Sequence, residues 1–390
     1  MTAMAMRLED VDLINPDPFQ QGMPHDTWTF LRKEAPVFWH EGRDFPGFWA
    51  ITKWEDIVEV SREPRVFISG KGVDMRADPT RPPEGMEAYI TGQMMLTTDP
   101  PRHVQMRRLV NRSFTPREIQ RMEPHVRELV RGILNDVCER GEADFVTDIA
   151  ARLPVAIICE MMGVPEEDWH LMFEWTNRMI GADDPEFRAE HADAGQASMQ
   201  ASMEMFAYFA RMMQERREHP TSDLMTVLLQ SEIDGEKLSD SDVLLFGLLL
   251  IVAGNETTRN ATSGGMLAFI DHPDQRARLA GDLSLINPAM EEVLRWVSPV
   301  IHFARICTED TEIRGQKIRA GEKVILWYPS GNRDEDVFVD PFTFDITRSP
   351  NDHVAFGMGE HFCLGSHLAR LELRVMFEEV FKRLPDLELN

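Results

Sequence analysis

The chain has 390 residues, with 41 Lys and Arg against 66 Asp and Glu, a formal net charge of −25. A surplus of that size repels phosphate backbones and anionic bilayers, which excludes nucleic-acid binding and membrane-surface binding as first readings. With 43% hydrophobic residues and no Ser/Gly tract or long charge run, residues 1–390 are expected to form a single, mostly helical domain with a sizeable core. No stretch reaches the roughly 18 consecutive apolar residues of a membrane span. The N-terminus turns acidic at Glu9 and Asp10 with no apolar signal core before them. Cys138, Cys159, Cys307 and Cys363 are scattered, without Cys-x-x-Cys spacing. That pattern speaks against a zinc ribbon and for a reducing, cytoplasmic compartment.

In chain order, a short helix is expected at about 26–33, broken by Pro36. Runs 37–40 and 48–51, separated by Gly42, Pro46 and Gly47, read as a hairpin, and a helix follows at 54–62. Residues 66–97 are irregular, with Gly70, Gly72, Pro79, Pro82, Pro83 and Gly85. A loop that long inside a compact domain is usually functional, so it is expected to cover a pocket. Met94, Met95 and Leu96 either line that pocket or fill core. Asp99-Pro100-Pro101 reads as a helix start, a capping carboxylate followed by proline, and the helix runs through Asn111. His103 and Arg107, four apart, share one face of it. Such a pair alone is more often a solvated face than a site. Arg102, Arg107, Arg108, Arg112, Arg117 and Arg121 concentrate positive charge in an acidic chain. They are either ordinary surface charge or a docking patch for an acidic partner.

Stretches 124–139, 150–162, 166–181 and 196–218 read as helices, the last rich in methionine. Residues 164–195, with Gly181, Asp183, Asp184 and Pro185, read as a helix–loop–helix lid. The longest apolar helical pattern covers 241–271 and ends at His272-Pro273. About 30 residues at 1.5 Å rise span roughly 45 Å. Its centre is Ala253-Gly254-Asn255-Glu256-Thr257-Thr258. Gly254 allows close approach of a flat ligand. The Thr257 hydroxyl can take a backbone bond and loosen one turn, and Glu256 can carry protons. The plainer alternative is a polar break in a buried helix. Further on, Glu292 and Arg295 share a helix face, residues 300–306 are extended, and 311–328 reads as a hairpin. The β-rich parts are thus about 36–66 and 300–328.

The chain then reaches Phe356-Gly357-Met358-Gly359-Glu360-His361-Phe362-Cys363-Leu364-Gly365, followed by a helical pattern. Its glycines allow tight turning. Cys363 lies near a helix N-terminus, where amides and the dipole favour a thiolate. A buried structural cysteine is the plainer reading.

This stretch resembles the haem-binding signature of the cytochrome P450 family at every fixed position. The resemblance implies a mainly α fold with small β-sheets, haem b lying between the long central helix and the helix after the cysteine loop. It implies Cys363 as the iron ligand, with Phe356, Gly357 and Gly365 shaping the loop. Asp99-Pro100-x-x-His103-x-x-x-Arg107 is similar to a family motif whose His and Arg bind haem propionates, as Arg305 and His361 are expected to do. Residues 253–258 resemble the family's oxygen-binding motif, with Gly254 beside the haem and Glu256 and Thr257 delivering protons. Glu292, Arg295 and Arg348 resemble its structural Glu–Arg–Arg cluster. Met95, Leu96, Val252, Ala253, Val300 and Phe303 are expected to touch substrate, and 164–195 to form its door.

The implied activity is insertion of one atom of O2 into an aliphatic C–H bond of a sterol, terpenoid or fatty-acid-like substrate. Electrons are expected from a ferredoxin and its NAD(P)H-dependent reductase. Residues 47–53, 253–260 and 351–357 look like the actinobacterial branch acting on sterol side chains and branched lipids. Two alternatives stand beside this. One is an H2O2-dependent peroxygenase, against which the Glu256-Thr257 pair argues. The other is a non-catalytic thiolate-haem sensor or carrier, which needs Cys363 but not Thr257. The resemblance runs from Asn15 to Leu387. Family members usually continue into a C-terminal β-hairpin that reaches the substrate pocket, and this hairpin is expected to be absent here.

Overall fold

The computed structural model describes residues 6–20, 22–181 and 194–390. In chain order the elements used below are α1 (His25–Glu34), β1 (Val37–His40), β2 (Phe48–Ile51), α2 (Trp54–Arg62), β3 (Phe67–Ile68), α3 (Arg102–Asn111), α4 (Pro116–Cys138), α5 (Arg152–Met162), α6 (Trp169–Ile180) and α7 (Ala194–Glu218). Then come α8 (Asp240–Asp271), α9 (Ile286–Val297), β4 (His302–Cys307), β5 (Thr311–Ile313), β6 (Gln316–Ile318), β7 (Lys323–Trp327) and α10 (Ser366–Arg383). The chain is mainly helical with small sheets, and it divides into two compact units.

One unit comprises Met1–Gly92, Leu96–Pro100 and Glu291–Cys363. Its centre is a five-stranded sheet in the order β1-β2-β7-β4-β3. The predicted β1–β2 hairpin is present, with Val37 opposite Ile51. β7 joins β2 in parallel and β4 antiparallel. All five residues of β7 are buried, because alternate side chains serve two cores. Val324 and Leu326 pack with Val37, Ile51, Ile57 and Val354. Ile325 and Trp327 pack with Leu13, Trp28, Leu31 and Phe48. Residues 311–328 are therefore not one hairpin. β5 and β6 form it, turning through Arg314 at φ 48° and Gly315 at φ 81°, and β7 leaves for the larger sheet. The long segment after β3 is a chain of turns with a short helix, Gly85–Ile90, and a 3-10 turn, Met95–Thr97.

The other unit comprises Gln93–Met95, Pro101–Met290 and Leu364–Asn390. α8 is its central helix, packed by α5, α6, α7 and α10. Ser239 caps it by accepting from the Asp242 amide, and Asp242 accepts from the Ser239 amide in return. α8 is long and apolar enough to cross a membrane by length and composition. Within this unit its residues from Val243 to Phe269 are mostly buried against those helices, so its apolar content is that of a core helix. α4 runs unbroken through Pro124 from the Thr115 cap and joins α10 through a charged seam. Arg127 bonds Glu378 at 2.8 Å and Glu379 at 2.9 Å, and Arg374 bonds Glu123 at 2.6 Å. These two arginines hold the Glu123 carboxyl down at about 2, Arg374 most strongly.

Two expectations need correction or bounding. α3 starts at Arg102 with Pro101 at its cap position and no side-chain cap. Asp99 instead accepts from the Ser69 and Gly70 amides at 2.7 and 2.9 Å, within its own unit. The expected lid at 164–195 includes residues 182–193, which lie outside the described residues. α6 and α7 flank that interval.

Candidate active site

In the sheet-containing unit, the loop before α10 is turned by two left-handed glycines, Gly357 at φ +67° and Gly359 at φ +69°. Gly359 has a second reason to be glycine, since a Cβ there would lie 2.1 Å from the Ser61 carbonyl oxygen of α2. The loop closes where the Cys363 amide donates to the Phe356 carbonyl at 2.9 Å. Gly357 packs near the Tyr328 hydroxyl, whereas Gly365 has open space where a Cβ would stand. Cys363 is half-buried, while Cys159 and Cys307 are buried, with thiols pushed up by desolvation. Among the described residues no three His, Cys, Asp or Glu side chains converge. An iron bound through Cys363 therefore needs further ligands from a cofactor.

Arg305 provides a direct test of fit. It is buried, its Nη1 donates to the Ala304 carbonyl at 2.7 Å, and it makes no ion pair among the described residues. Burial pulls its pKa below the ordinary range, opposed by Tyr328 and Asp99. A buried guanidinium without a counter-ion costs several kcal/mol, so a site of this kind suits the carboxylate of a bound group. His361 is tied to the segment after β3: its Nε2 is 3.2 Å from Ser69 Oγ, and Asp99 holds the Ser69 amide. Val300 and Phe303 pack against the core cluster of Val324 and Leu326, and Leu96 is half-buried.

Glu292, Arg295 and Arg348 do meet. Arg295 forks onto Glu292 at 2.7 and 2.8 Å, and Arg348 Nε reaches it at 3.2 Å. Arg295 also donates to the carbonyls of Asn332 and Pro341 at 2.8 Å, and Asn351 completes the carboxylate. Every strong donor in this buried cluster has an acceptor.

In the helical unit, Thr257 Oγ1 donates to the Ala253 carbonyl at 2.8 Å. Glu256 pairs with Arg259 one turn on, and Arg259 Nη1 donates to Asn177 Oδ1 of α6 at 2.7 Å. Asn255 donates to Thr176 at 2.8 Å. Gly254 faces α5, where a Cβ would stand 3.2 Å from Ile158 Cγ1. The close approach it permits among protein atoms is helix on helix. Ala253 is exposed, and Val252, Glu256, Thr257 and Asn260 are half-buried, an open stripe at the middle of a mostly buried helix. His103 is buried and Arg107 half-buried on α3, and Met95 is buried. Arg259 and Asn177 were not singled out from sequence. The i,i+3 spacing of Glu256 and Arg259 was the available signal for the first, and nothing marked the second. Tyr328, beside the cysteine loop, had no signal either.

Comparison with known proteins agrees with this loop and helix. The cytochrome P450 family model matches residues 67–385. The methyl-branched lipid omega-hydroxylase of Mycobacterium tuberculosis is 41% identical over 367 residues, covering 91% of this chain and 83% of that protein. The steroid C26-monooxygenase of Rhodococcus jostii is 39% identical over 389 residues, covering 97% and 80%. A solved Mycobacterium marinum cytochrome P450 in complex with pseudoionone superposes with a TM-score of 0.90 at 39% identity, covering 97% of this chain and 93% of that one. A signature cysteine in a glycine-turned loop, on a fold shared across nearly the whole length, leaves one assignment: the chain belongs to the cytochrome P450 family and is a cytochrome P450 monooxygenase.

Proposed function

We propose that the protein hydroxylates an aliphatic carbon of a bulky lipid, of the methyl-branched or sterol-like class, with haem b as cofactor and electrons from a ferredoxin and its NAD(P)H-dependent reductase. The observation that carries the cofactor assignment is Arg305, a buried cation that meets no carboxylate among the described residues. Cys363 would ligate the iron. Arg305 and His361, and by their motif His103 and Arg107, would bind the propionates. The substrate class is supported by the names of the relatives and by the apolar character of Met95, Leu96, Val252, Ala253, Val300 and Phe303.

Haem bound through a thiolate supplies O2 activation, the thiolate pushing electron density that favours O–O cleavage. The chain's own residues do the rest. Thr257 spends its hydroxyl proton on the Ala253 carbonyl, which leaves its lone pairs to accept from a water on the open stripe. Glu256, beside it on the helix and held by Arg259, is the carboxylate that passes protons in from solvent. Val252 and Ala253 make the stripe itself partly apolar, and with a lipid seated over them they would keep bulk water off, which limits loss of electrons to side reactions. This acid–alcohol pair favours O2 over peroxide as oxidant. Exposed Arg108, Arg112 and Arg117 form no ion pair among the described residues and suit an acidic ferredoxin.

An optical titration of the purified ferric protein against sterols, methyl-branched fatty acids and terpenes tests the reading. The ferrous–CO spectrum is taken on the same sample. A red-shifted CO band, together with a low-to-high-spin change for one lipid class, is the expected result. Absence of haem after expression with adequate iron would sink the assignment of Cys363. A response confined to small polar compounds would sink the lipid class.

A further inference from the structure

Lys323 opens β7, and by strand alternation it shares a face with Ile325 and Trp327, over the cluster of Leu13, Trp28 and Phe48. An apolar side chain is what that position would ordinarily carry. The lysine there is 1% exposed. It forms no ion pair among the described residues; its ammonium donates to the carbonyl of Met75, to the carbonyl of Ala77 at 2.7 Å, and lies 4.9 Å from the centre of the Phe45 ring. Asp74 and Asp78 face it from the segment and His302 from β4. Burial pushes the ammonium down to about 8, against the pull of the two aspartates. Burying an ammonium costs several kcal/mol even after relaxation. Something has to offset that cost, and the two carbonyls it bonds both belong to the long segment after β3.

That segment is fastened at two earlier points. Asp99 holds the Ser69 and Gly70 amides, and a Cβ on Gly70 would stand 2.5 Å from its carboxylate. The Ala304 amide of β4 donates to the Val73 carbonyl at 2.8 Å. Beyond Val73 the backbone forms local turns, with Arg76 N–H donating to Asp74 Oδ1 at 2.7 Å and Thr80 N–H to Asp78 Oδ1 at 2.9 Å. Met75 also packs on the Leu13–Trp28 cluster, and Lys323 is the third polar fastener, tying the backbone of these turns to the sheet.

We propose that Lys323 is a positioning residue for substrate: by bonding the Met75 and Ala77 carbonyls it fixes residues 74–80 against the sheet, so that they present a rigid wall to the bulky end of the ligand. The inference rests on the proposed lipid hydroxylase and on the expectation that the long loop at residues 66–97 covers its substrate pocket. A preformed wall saves the ordering cost that a loose one levies on each binding event.

The test uses holoenzyme, wild type and Lys323→Met, with two readouts. Amide exchange of residues 72–80 is expected to accelerate about tenfold or more in the variant, with the amides of β2 and β7 unchanged. Two azoles that bind ferric haem then probe the wall. The Kd of 4-phenylimidazole is expected to rise about tenfold, while that of imidazole, which lacks the aryl arm, stays within about twofold. Unchanged exchange at 72–80 overturns the fastening. Faster exchange with unchanged 4-phenylimidazole binding overturns the role toward substrate. If Lys323→Met does not load haem, Lys323→Gln keeps one donor of shorter reach and is expected to give the same changes at smaller size. A wild-type protein that gives no azole band lacks accessible ferric haem. That failure belongs to the functional reading, and the exchange comparison still decides the fastening.

Discussion

Thr257 is bound to the Ala253 carbonyl while the carboxylate beside it is bound to Arg259. The alcohol and the acid are therefore oriented before any ligand arrives. On the proposed reading, Thr257→Ala removes the hydroxyl that would accept from a proton-carrying water, without touching Cys363 or Arg305. Haem content and the ferrous–CO band are expected to stay, while product formed per NAD(P)H falls severalfold and peroxide rises. Fully coupled turnover in that variant would take Thr257 out of proton delivery. A second residue stands apart from the chemistry. Glu372, in α10, is buried, and its Oε2 has no hydrogen-bond partner among the described residues. Desolvation pushes its carboxyl up to about 8, from an ordinary value near 4.5. Between those values the folded protein holds a proton that the unfolded chain has released, so stability falls as pH rises through this window. Glu372→Gln keeps the neutral shape and removes the titration. Denaturant midpoints measured from pH 5 to pH 8 should fall more steeply for the wild type than for the variant, and parallel curves would show that Glu372 finds solvent or a partner.

The elements show why some of these residues were legible and others were not. Cys363, Gly357 and Gly359 could be read from sequence because their spacing is local, and a left-handed backbone admits few residues other than glycine. Glu292 and Arg295 were readable as a helix-face pair, but Arg348 joined them only through family resemblance. The buried cluster adds what spacing cannot give: Asn351 and the carbonyls of Asn332 and Pro341. Glu292→Gln leaves two guanidiniums short of their carboxylate. Loss of one partner from such a buried group costs about 3–5 kcal/mol, and guanidinium denaturation should show it as a shift in midpoint at unchanged slope. A loss below about 1 kcal/mol would mean the arginines find other acceptors. Asp99 and Lys323 were misread or passed over for one reason. Asp99 stands where a helix cap should, yet it serves Ser69 and Gly70, about 30 residues earlier in the chain. Lys323 looks like an ordinary strand-end charge, yet it serves a segment near residue 76. Local pattern does not encode long-range carbonyl acceptors. β7 was misassigned to a hairpin for the same cause, since its partners β2 and β4 are chosen by burial on both faces.

At the scale of the whole molecule the charge decides how a partner approaches. A net charge of −25 repels an acidic ferredoxin at long range. Arg102 and Arg121 are already paired, with Asp242 and Glu118, so the basic segment read from sequence is smaller than its count. Arg108, Arg112 and Arg117 remain exposed, with no ion pair among the described residues. If an acidic ferredoxin docks on these three, as proposed, their attraction acts at short range against the field of the rest of the protein. The Debye length is about 10 Å at 0.1 M salt and about 3 Å at 1 M. Moderate salt should therefore screen the distant repulsion first and the contact attraction later. Electron-transfer rate from an acidic ferredoxin is expected to rise from very low to intermediate ionic strength and then to fall. Arg112→Glu should lower the rate about tenfold near the maximum and leave the spin-state response to substrate unchanged. Stopped-flow reduction followed at the ferrous–CO band measures both. A monotonic fall with salt in the wild type would mean the patch outweighs the global charge. An unaltered rate in Arg112→Glu would move the docking site away from this segment.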